Sequence, residues 1–199
     1  MKLERRHDHK LPTGVLGASL SPDGRSIVAG CMDGVYKQSL DDGGHQKLYA
    51  HHSYVSSAKW VREDLILTAG YDGRVCWYHP DTEQQQREIK LHEFWSWDMA
   101  CSPDGSRLAS VTGQYLAGSY KYEPQSEKEP SLCIVAVEDG RVLHQLPHVP
   151  SVQSVAFSPD GRHVAAGNLM GEVRVFDAQT GEMNANWTTP DFTSWGIIK

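Results

Sequence analysis

The sequence predicts an all-β fold in which a unit of about 40 residues, containing four short strands, is repeated along the chain. Three observations lead to this prediction: a recurring Ser-Pro-Asp-Gly turn, a histidine at a fixed distance before it, and two-residue hydrophobic alternation in segments such as 173–176. One four-stranded unit cannot bury both of its faces. Stacking the units around an axis would bury them, so the expected architecture is a β-propeller.

The repeat is marked most clearly by its turn. Ser-Pro-Asp-Gly occurs at 21–24, 102–105 and 158–161, and a variant turn lies at 61–64. An apolar residue precedes each turn, and these four markers lie 40, 41 and 56 residues apart: Leu20, Trp60, Cys101 and Phe157. The longer third interval indicates an insertion of about 15 residues. A histidine lies nine residues before three of the markers: His51, His92 and His148.

The repeat also sets the predicted unit boundaries. The units are residues 11–50, 51–91, 92–147 with the insertion at 113–130, and 148–189, and residues 190–199 are predicted to be the first strand of a fifth unit. Asp-Gly pairs supply the positive φ that tight hairpin turns need. No segment keeps a 3.6-residue period, so almost no helix is expected. The prediction is about four blades and an incomplete ring.

An open array of four blades would leave apolar faces and strand edges bare. Three arrangements would resolve this. The chain is a fragment of a longer propeller, or it completes a ring with another chain, or it closes as a small strained ring. We favour the fragment, because terminal units of repeat arrays normally carry a polar cap and none is visible here.

Composition restricts the function classes. The net charge is −6 and no stripe of Lys and Arg is present, which argues against nucleic-acid binding. No apolar run reaches membrane-spanning length and no signal peptide is visible, so a cytoplasmic protein is expected. The four cysteines form no CxxC pair, and His7-Asp8-His9 has no third ligand nearby. The sequence therefore predicts no cofactor, no metal site and no catalytic centre.

The period and the motifs together resemble the WD40-repeat family (WD domain, G-beta repeat), in the style of divergent bacterial-type arrays. The family's Trp-Asp dipeptide at the end of the third strand survives only as Phe176-Asp177, and Tyr78 takes the tryptophan position in the second unit. The resemblance implies a hydrogen-bond network in each blade. Its candidate members here are His51, Thr68 and Asp72, then His92 and Ser110, then His148. Met170 occupies the expected aspartate position in the fourth unit. Since these networks are mostly incomplete, apolar packing between blades is predicted to carry most of the stability.

The resemblance also implies a binding surface on the top face of the propeller, where two classes of loop meet. Aromatic residues amid polar ones are typical of interfaces. The candidates are Tyr54, Tyr71, Asp72, Phe94, Trp95, Tyr115, Tyr120, Tyr122 and Phe192. The polar half of the insertion, residues 123–130, is predicted to be a loosely ordered, variable recognition loop.

The predicted function is a noncatalytic scaffold or recognition module that binds a protein or peptide, with self-association or further blades needed to close the ring. One alternative is a regulatory or sensory propeller within a larger multidomain protein. A less favoured alternative is a ligand or enzyme site in the central channel. That site would need several converging carboxylates or histidines, whereas the first-strand residues are mostly small or apolar.

Overall fold

The computed structural model describes residues 8–118, 121–124 and 126–189. This part of the chain is all-β, which confirms the predicted fold class, and it contains no helix long and apolar enough to span a lipid bilayer. Four antiparallel sheets of four strands follow one another along the chain. Sheet 1 is β1 (Val15–Leu20), β2 (Ser26–Cys31), β3 (Gly34–Ser39) and β4 (His45–Tyr49); sheet 2 is β5 (Val55–Arg62), β6 (Leu65–Gly70), β7 (Arg74–His79) and β8 (Gln84–Lys90).

The third sheet contains the insertion. Sheet 3 is β9 (Asp98–Cys101), β10 (Arg107–Val111), β13 (Leu132–Ala136) and β14 (Val142–Leu146), and the hairpin of β11 (Tyr115–Gly118) and β12 (Lys121–Pro124) lies between its second and third strands in the chain. Sheet 4 is β15 (Val152–Phe157), β16 (His163–Asn168), β17 (Glu172–Asp177) and β18 (Met183–Thr188). Each sheet therefore corresponds to one repeat.

The Ser-Pro-Asp-Gly turn joins the first two strands and is closed by its own side chains. At the third marker the Ser102 hydroxyl donates to the Asp104 carboxylate at 2.6 Å, and the Arg107 amide donates back to Ser102 Oγ at 2.9 Å. Gly105 has φ +69°, a value that glycine adopts without strain. Hydrogen bonds from Ser102 and Ser106 lower the pKa of Asp104 to about 2. The same serine–aspartate contact recurs at Ser158 and Asp160, at 2.6 Å.

Apolar packing between neighbouring sheets forms the core. One buried cluster lies at each of the three junctions. The junction of sheets 1 and 2 includes Val28, Val35, Val55, Ala58, Ile66 and Tyr78. The junction of sheets 2 and 3 includes Leu67, Val75, Trp77, Met99, Leu108 and Val135. The junction of sheets 3 and 4 includes Ala109, Leu132, Ile134, Val155, Val164 and Phe176. Within the described ranges no such cluster joins sheet 4 to sheet 1, so the array is an open, incomplete propeller.

Polar contacts between the innermost strands reinforce these junctions. The Trp60 amide donates to Ser19 Oγ at 2.7 Å across the first junction. At the second, the Met99 amide donates to Ser57 Oγ at 3.1 Å. Asp98 spans three sheets, because its carboxylate accepts from the Ser57 hydroxyl at 3.1 Å and from the Val155 amide at 3.1 Å. The sequence analysis described the first-strand residues as mostly small or apolar and did not identify Asp98 as a contact between sheets.

The base of the insertion is held by hydrogen bonds, whereas residues 123–130 were predicted to be loosely ordered. The Glu129 carboxylate accepts hydrogen bonds from the Glu93 and Phe94 amides, at 2.9 and 3.1 Å. Glu127 accepts from the Ser131 and His148 amides, at 2.9 and 3.0 Å. These two glutamates accept from backbone donors outside the strands, so the base of the insertion is tied to the loop before β9, to the start of β13 and to the loop between β14 and β15.

Candidate functional site

A stack of aromatic rings lies where three loops meet. We call it the aromatic cluster; it consists of Tyr54 before β5, Tyr71 after β6, and Phe94, Trp95 and Trp97 before β9. The Tyr71 and Trp95 rings are 4.6 Å apart and nearly parallel, at 6°. Phe94 also stacks on Trp95, with ring centroids 5.1 Å apart, and Trp97 meets Trp95 edge-on at 5.2 Å. Tyr54 lies 6.0 Å from Tyr71. The structure thus brings together four predicted surface residues that are up to 41 positions apart in the chain.

The cluster is exposed although its rings are packed against one another. Tyr54 is 43% exposed and Trp95 is 40% exposed, whereas Tyr71, Phe94 and Trp97 are partly buried. Offset-stacked and edge-to-face pairs add about 0.5–1.5 kcal/mol each beyond area burial, so the rings hold a defined arrangement at the surface.

Backbone contacts fix the loop that carries the tryptophans. The Trp97 indole donates to the Gly113 carbonyl at 2.9 Å, and the Thr112 hydroxyl donates to the Trp95 carbonyl at 2.8 Å. The Ser96 amide donates to the Gly70 carbonyl in sheet 2 at 3.1 Å. Together with the Glu129 contact to Phe94, these bonds place the aromatic cluster directly beside the base of the insertion. The sequence contained no signal for Glu129, because a glutamate in a polar segment cannot be distinguished from an ordinary surface residue.

The second unit contains a buried hydrogen-bond network formed by His51, Thr68 and Asp72. His51 Nε2 lies 2.8 Å from the Thr68 hydroxyl, and its Nδ1 lies 3.2 Å from the Asp72 carboxylate. Burial raises the pKa of Asp72, but hydrogen bonds from His51 and from the Arg74 and His52 amides outweigh it, so the pKa is lowered. Tyr49, not Tyr78, completes the network, since its hydroxyl lies 2.7 Å from Thr68 Oγ1. Tyr78 instead stacks on Tyr49 at 5.1 Å.

The other units replace parts of this network. In the fourth unit Asn168 acts in place of the aspartate: its side-chain oxygen accepts from the Met170 and Glu172 amides, and His148 contacts the Ala166 carbonyl at 3.1 Å. In the first unit Leu11 packs against Ala29, an apolar pair where the second unit has His51 and Thr68.

In the third unit His92 is almost completely buried, with Nε2 at 2.9 Å from the Ser110 hydroxyl and Nδ1 without a hydrogen-bond partner. Burial, together with the positive charge of Lys90, lowers the pKa of His92 to about 3. Burial also lowers the pKa of His148.

Because the pKa of His92 is lowered in the folded chain, we expect the free energy of unfolding to depend on pH. The unfolded chain protonates His92 near pH 6.5, whereas the folded chain does so only near pH 3, so protons favour the unfolded state between these values. The contribution is complete above pH 6.5 and declines as the pH falls, by about 2 kcal/mol between pH 7 and pH 5. Urea unfolding at both pH values should show a smaller decline for His92→Gln than for the wild type. An equal decline in both proteins would contradict this role for His92.

The structure describes some of the predicted surface residues and not others. Tyr115 and Tyr122 lie in the inserted hairpin, where Tyr115 pairs with Pro124 and Ala117 with Tyr122. Tyr120 and Phe192 lie outside the described residues, as does the predicted fifth-unit strand at 190–199. Asp72, predicted at the surface, contacts the His52 amide at 3.0 Å and is mostly buried in the network.

Metal-ligating side chains do not converge in the described part of the chain. No set of three His, Cys, Asp or Glu side chains is arranged to hold a metal ion there. Burial raises the pKa of all four cysteines, to about 11 for Cys31 and about 12 for Cys101 and Cys133. These thiols are therefore poor nucleophiles near neutral pH.

Comparison with known proteins gives a consistent result. Residues 2–37 and 140–177 match the family model for the WD domain, G-beta repeat. The guanine nucleotide-binding protein subunit beta of Zea mays is 28% identical over 178 residues, which cover 84% of this chain and 45% of that protein. Apoptotic protease-activating factor 1 of Rattus norvegicus is 24% identical over 163 residues, covering 81% of this chain and 12% of that protein.

A third relative, the Protein LST8 homolog of Drosophila melanogaster, is 30% identical over 108 residues, covering 48% of this chain and 34% of that protein. The chain spans about half the length of the G-beta relatives that it matches. These relatives come from animals and plants, so the bacterial character of the repeats stays a prediction.

Proposed function

The chain belongs to the WD40-repeat family, and on that premise we propose that it is a noncatalytic interaction module that binds a protein or peptide through the aromatic cluster. The four sheets would serve as the rigid support, and the loops between them would make the contacts. This division is common in proteins, because loops on a stable scaffold can vary without cost to the core.

The observation that carries the proposal is the exposure of the aromatic cluster. Trp95 and Tyr54 each expose about two fifths of their surface, although large aromatic side chains gain most from burial. Tyrosine and tryptophan are enriched among the residues that dominate binding energy, since they offer a large, rigid contact area. Because Trp95 already stacks on both Phe94 and Tyr71, little side-chain entropy would be lost on binding.

The insertion supports the same surface. Glu129 joins its base to the Phe94 amide, so the inserted hairpin leaves sheet 3 beside the aromatic cluster. We therefore propose that the cluster supplies most of the affinity and that the insertion supplies specificity.

A role as a regulatory part of a larger protein is a second candidate. The rat relative favours it, because the region that resembles this chain is only 12% of that protein. The two candidates agree on the binding surface and differ only in what the module is attached to.

The proposal is tested by affinity capture from extracts of the source organism, with bound proteins quantified by mass spectrometry. Three baits are compared: the wild type, the double variant Tyr54→Ser/Trp95→Ser, and the control Val142→Ser, which changes an equally exposed apolar residue on the outer strand of sheet 3. We expect at least one protein to bind the wild type and the control directly, and to bind the double variant about 30-fold more weakly. Equal affinities for all three baits, with unchanged circular dichroism spectra, would contradict the proposed surface.

A further inference from the structure

We propose that the partner of the aromatic cluster presents a basic segment, with lysine or arginine side chains that lie over the exposed rings and pair with Glu93. The proposal rests on the proposed function and adds to it the chemical class of the partner. The loops of the cluster belong to sheets 2 and 3, and a further sheet packs on each side of this pair. Both neighbouring blades are therefore present around the cluster.

Elsewhere in the chain, aromatic rings are covered by the chain's own cations. The face of an aromatic ring carries negative potential, so a lysine or arginine within about 6 Å of the ring centre is attracted to it. No lysine or arginine of the described ranges lies over a ring of the aromatic cluster, so a partner would have to supply this contact there. The covered rings are Trp60 with Lys37 at 5.5 Å, Tyr36 with Lys47 at 5.8 Å and Trp77 with Arg87 at 5.6 Å.

Tyr54 is the ring of the cluster that is most open to such a cation. It is 43% exposed, and among the described residues Tyr71 is the only ring that contacts it, at 6.0 Å and tilted by 44°. Trp95 has a similar exposure but already stacks on Tyr71 and Phe94. Tyr54 therefore offers ring surface on which no other ring of the cluster stacks.

The charged groups around the cluster are mostly negative. The loops that carry it, residues 52–56, 70–73 and 93–97, together with the base of the insertion at 127–130, contain four carboxylates and one ammonium group, for a formal charge of −3. Complementary potentials speed association and disfavour partners of the same sign, so this surface favours a basic partner over an acidic one. The charged residues are Asp72, Glu93, Glu127, Lys128 and Glu129.

Two cations border these loops in the chain, and both are engaged within the fold. Arg74 forms an ion pair with Glu88. Lys90 Nζ donates to the main-chain carbonyls of Asp72 and Glu93, at 2.9 and 3.5 Å. Glu93, by contrast, is exposed, and its carboxylate has no hydrogen-bond or ion-pair partner in the part of the chain that the structure describes. This carboxylate is therefore available to a cation of the partner.

Selection of a phage-displayed library of random peptides on the full 199-residue chain tests the proposal. Peptides that bind the wild type and not the double variant Tyr54→Ser/Trp95→Ser are expected to be enriched in lysine and arginine, and depleted in aspartate and glutamate, relative to the unselected library. Their affinity should fall as the NaCl concentration is raised, because salt screens exposed charges. Matching circular dichroism spectra of the two baits show that the double variant is folded.

Single substitutions, measured with one selected peptide, separate the charge from the ring. Glu93→Gln removes a charge while keeping the shape of the side chain, and it should weaken binding by about 3-fold. The control Glu63→Gln makes the same change in the turn between β5 and β6, at the opposite end of the strands, and should bind like the wild type. Tyr54→Leu removes the ring and should weaken binding by about 2–5-fold, whereas Tyr54→Phe keeps the ring and should retain nearly full affinity.

The outcomes distinguish a basic partner from another partner at the same surface. Selected peptides that require the aromatic cluster but are not enriched in lysine and arginine would overturn the basic partner and leave the proposed function in place. Enriched peptides that bind the double variant as well as the wild type would overturn it as well, since the net charge of −6 alone would then explain the attraction. Equal effects of Glu93→Gln and Glu63→Gln, or a failure to select any peptide, would also contradict it.

Discussion

Replacing Trp77 with alanine is expected to lower the free energy of unfolding by about 3–5 kcal/mol. Trp77 is 3% exposed and lies at the centre of the junction between sheets 2 and 3. Its indole N–H donates to the Val137 carbonyl of the neighbouring sheet at 2.7 Å, and the Arg87 guanidinium lies 5.6 Å from its ring. The substitution would create a cavity and leave a buried carbonyl without its donor. Urea unfolding followed by circular dichroism measures the loss.

Two comparisons separate packing from hydrogen bonding at this site. Trp77→Phe keeps a large ring but removes the indole donor, and it should cost about 1–2 kcal/mol. Val142→Ala, at an exposed position, should change stability by less than about 0.5 kcal/mol. If Trp77→Ala cost no more than Val142→Ala, the junctions would not be the main source of stability.

Replacing Asp98 with alanine is expected to cost about 2–4 kcal/mol, because three donors lose an acceptor at once and only the Met99 amide retains another, Ser57 Oγ. The Met99 and Val155 amides and the Ser57 hydroxyl belong to three different sheets. All three residues are buried. The carboxylate borders a groove of about 800 Å³ between the inner strands, so water can replace part of the loss. The cost should therefore stay below the sum of three full penalties.

The matched variants at this site are Asp98→Asn and Ser57→Ala. Asparagine retains one acceptor oxygen and should lose about half as much stability as alanine. Ser57→Ala removes one donor to Asp98 and one of the two acceptors of the Met99 amide, and it should cost about 1 kcal/mol. A cost for Asp98→Ala no larger than that of Ser57→Ala would show that Asp98 does not link the sheets.

The fold could be predicted well from the sequence because its information is local and periodic. The serine and aspartate of each turn lie two residues apart, and the apolar alternation of β17 is visible over six residues. The periodicity also gave the position of the insertion. What the sequence could not indicate was which side chains meet across junctions, since Trp77 and Val137 are 60 residues apart.

The candidate site was predictable only in part, for the same reason. Tyr54, Tyr71, Phe94 and Trp95 were chosen as aromatic residues in loops, and neither their stacking nor its order has a sequence signature. Glu129 and Asp98 act through hydrogen bonds to backbone amides, which any carboxylate at the right place could make. Tyr49 could not be distinguished from Tyr78 as the partner of Thr68, because both are tyrosines near the expected position.

The most direct test of the central claim, that loops on a stable set of junctions form the binding surface, is amide hydrogen exchange with and without a captured partner. We expect new protection at residues 52–56, 70–73 and 93–97, the segments that carry the aromatic cluster, and unchanged exchange in the junction strands. Protection confined to the Ser-Pro-Asp-Gly turns at the opposite ends of the strands, with none in the cluster, would contradict it.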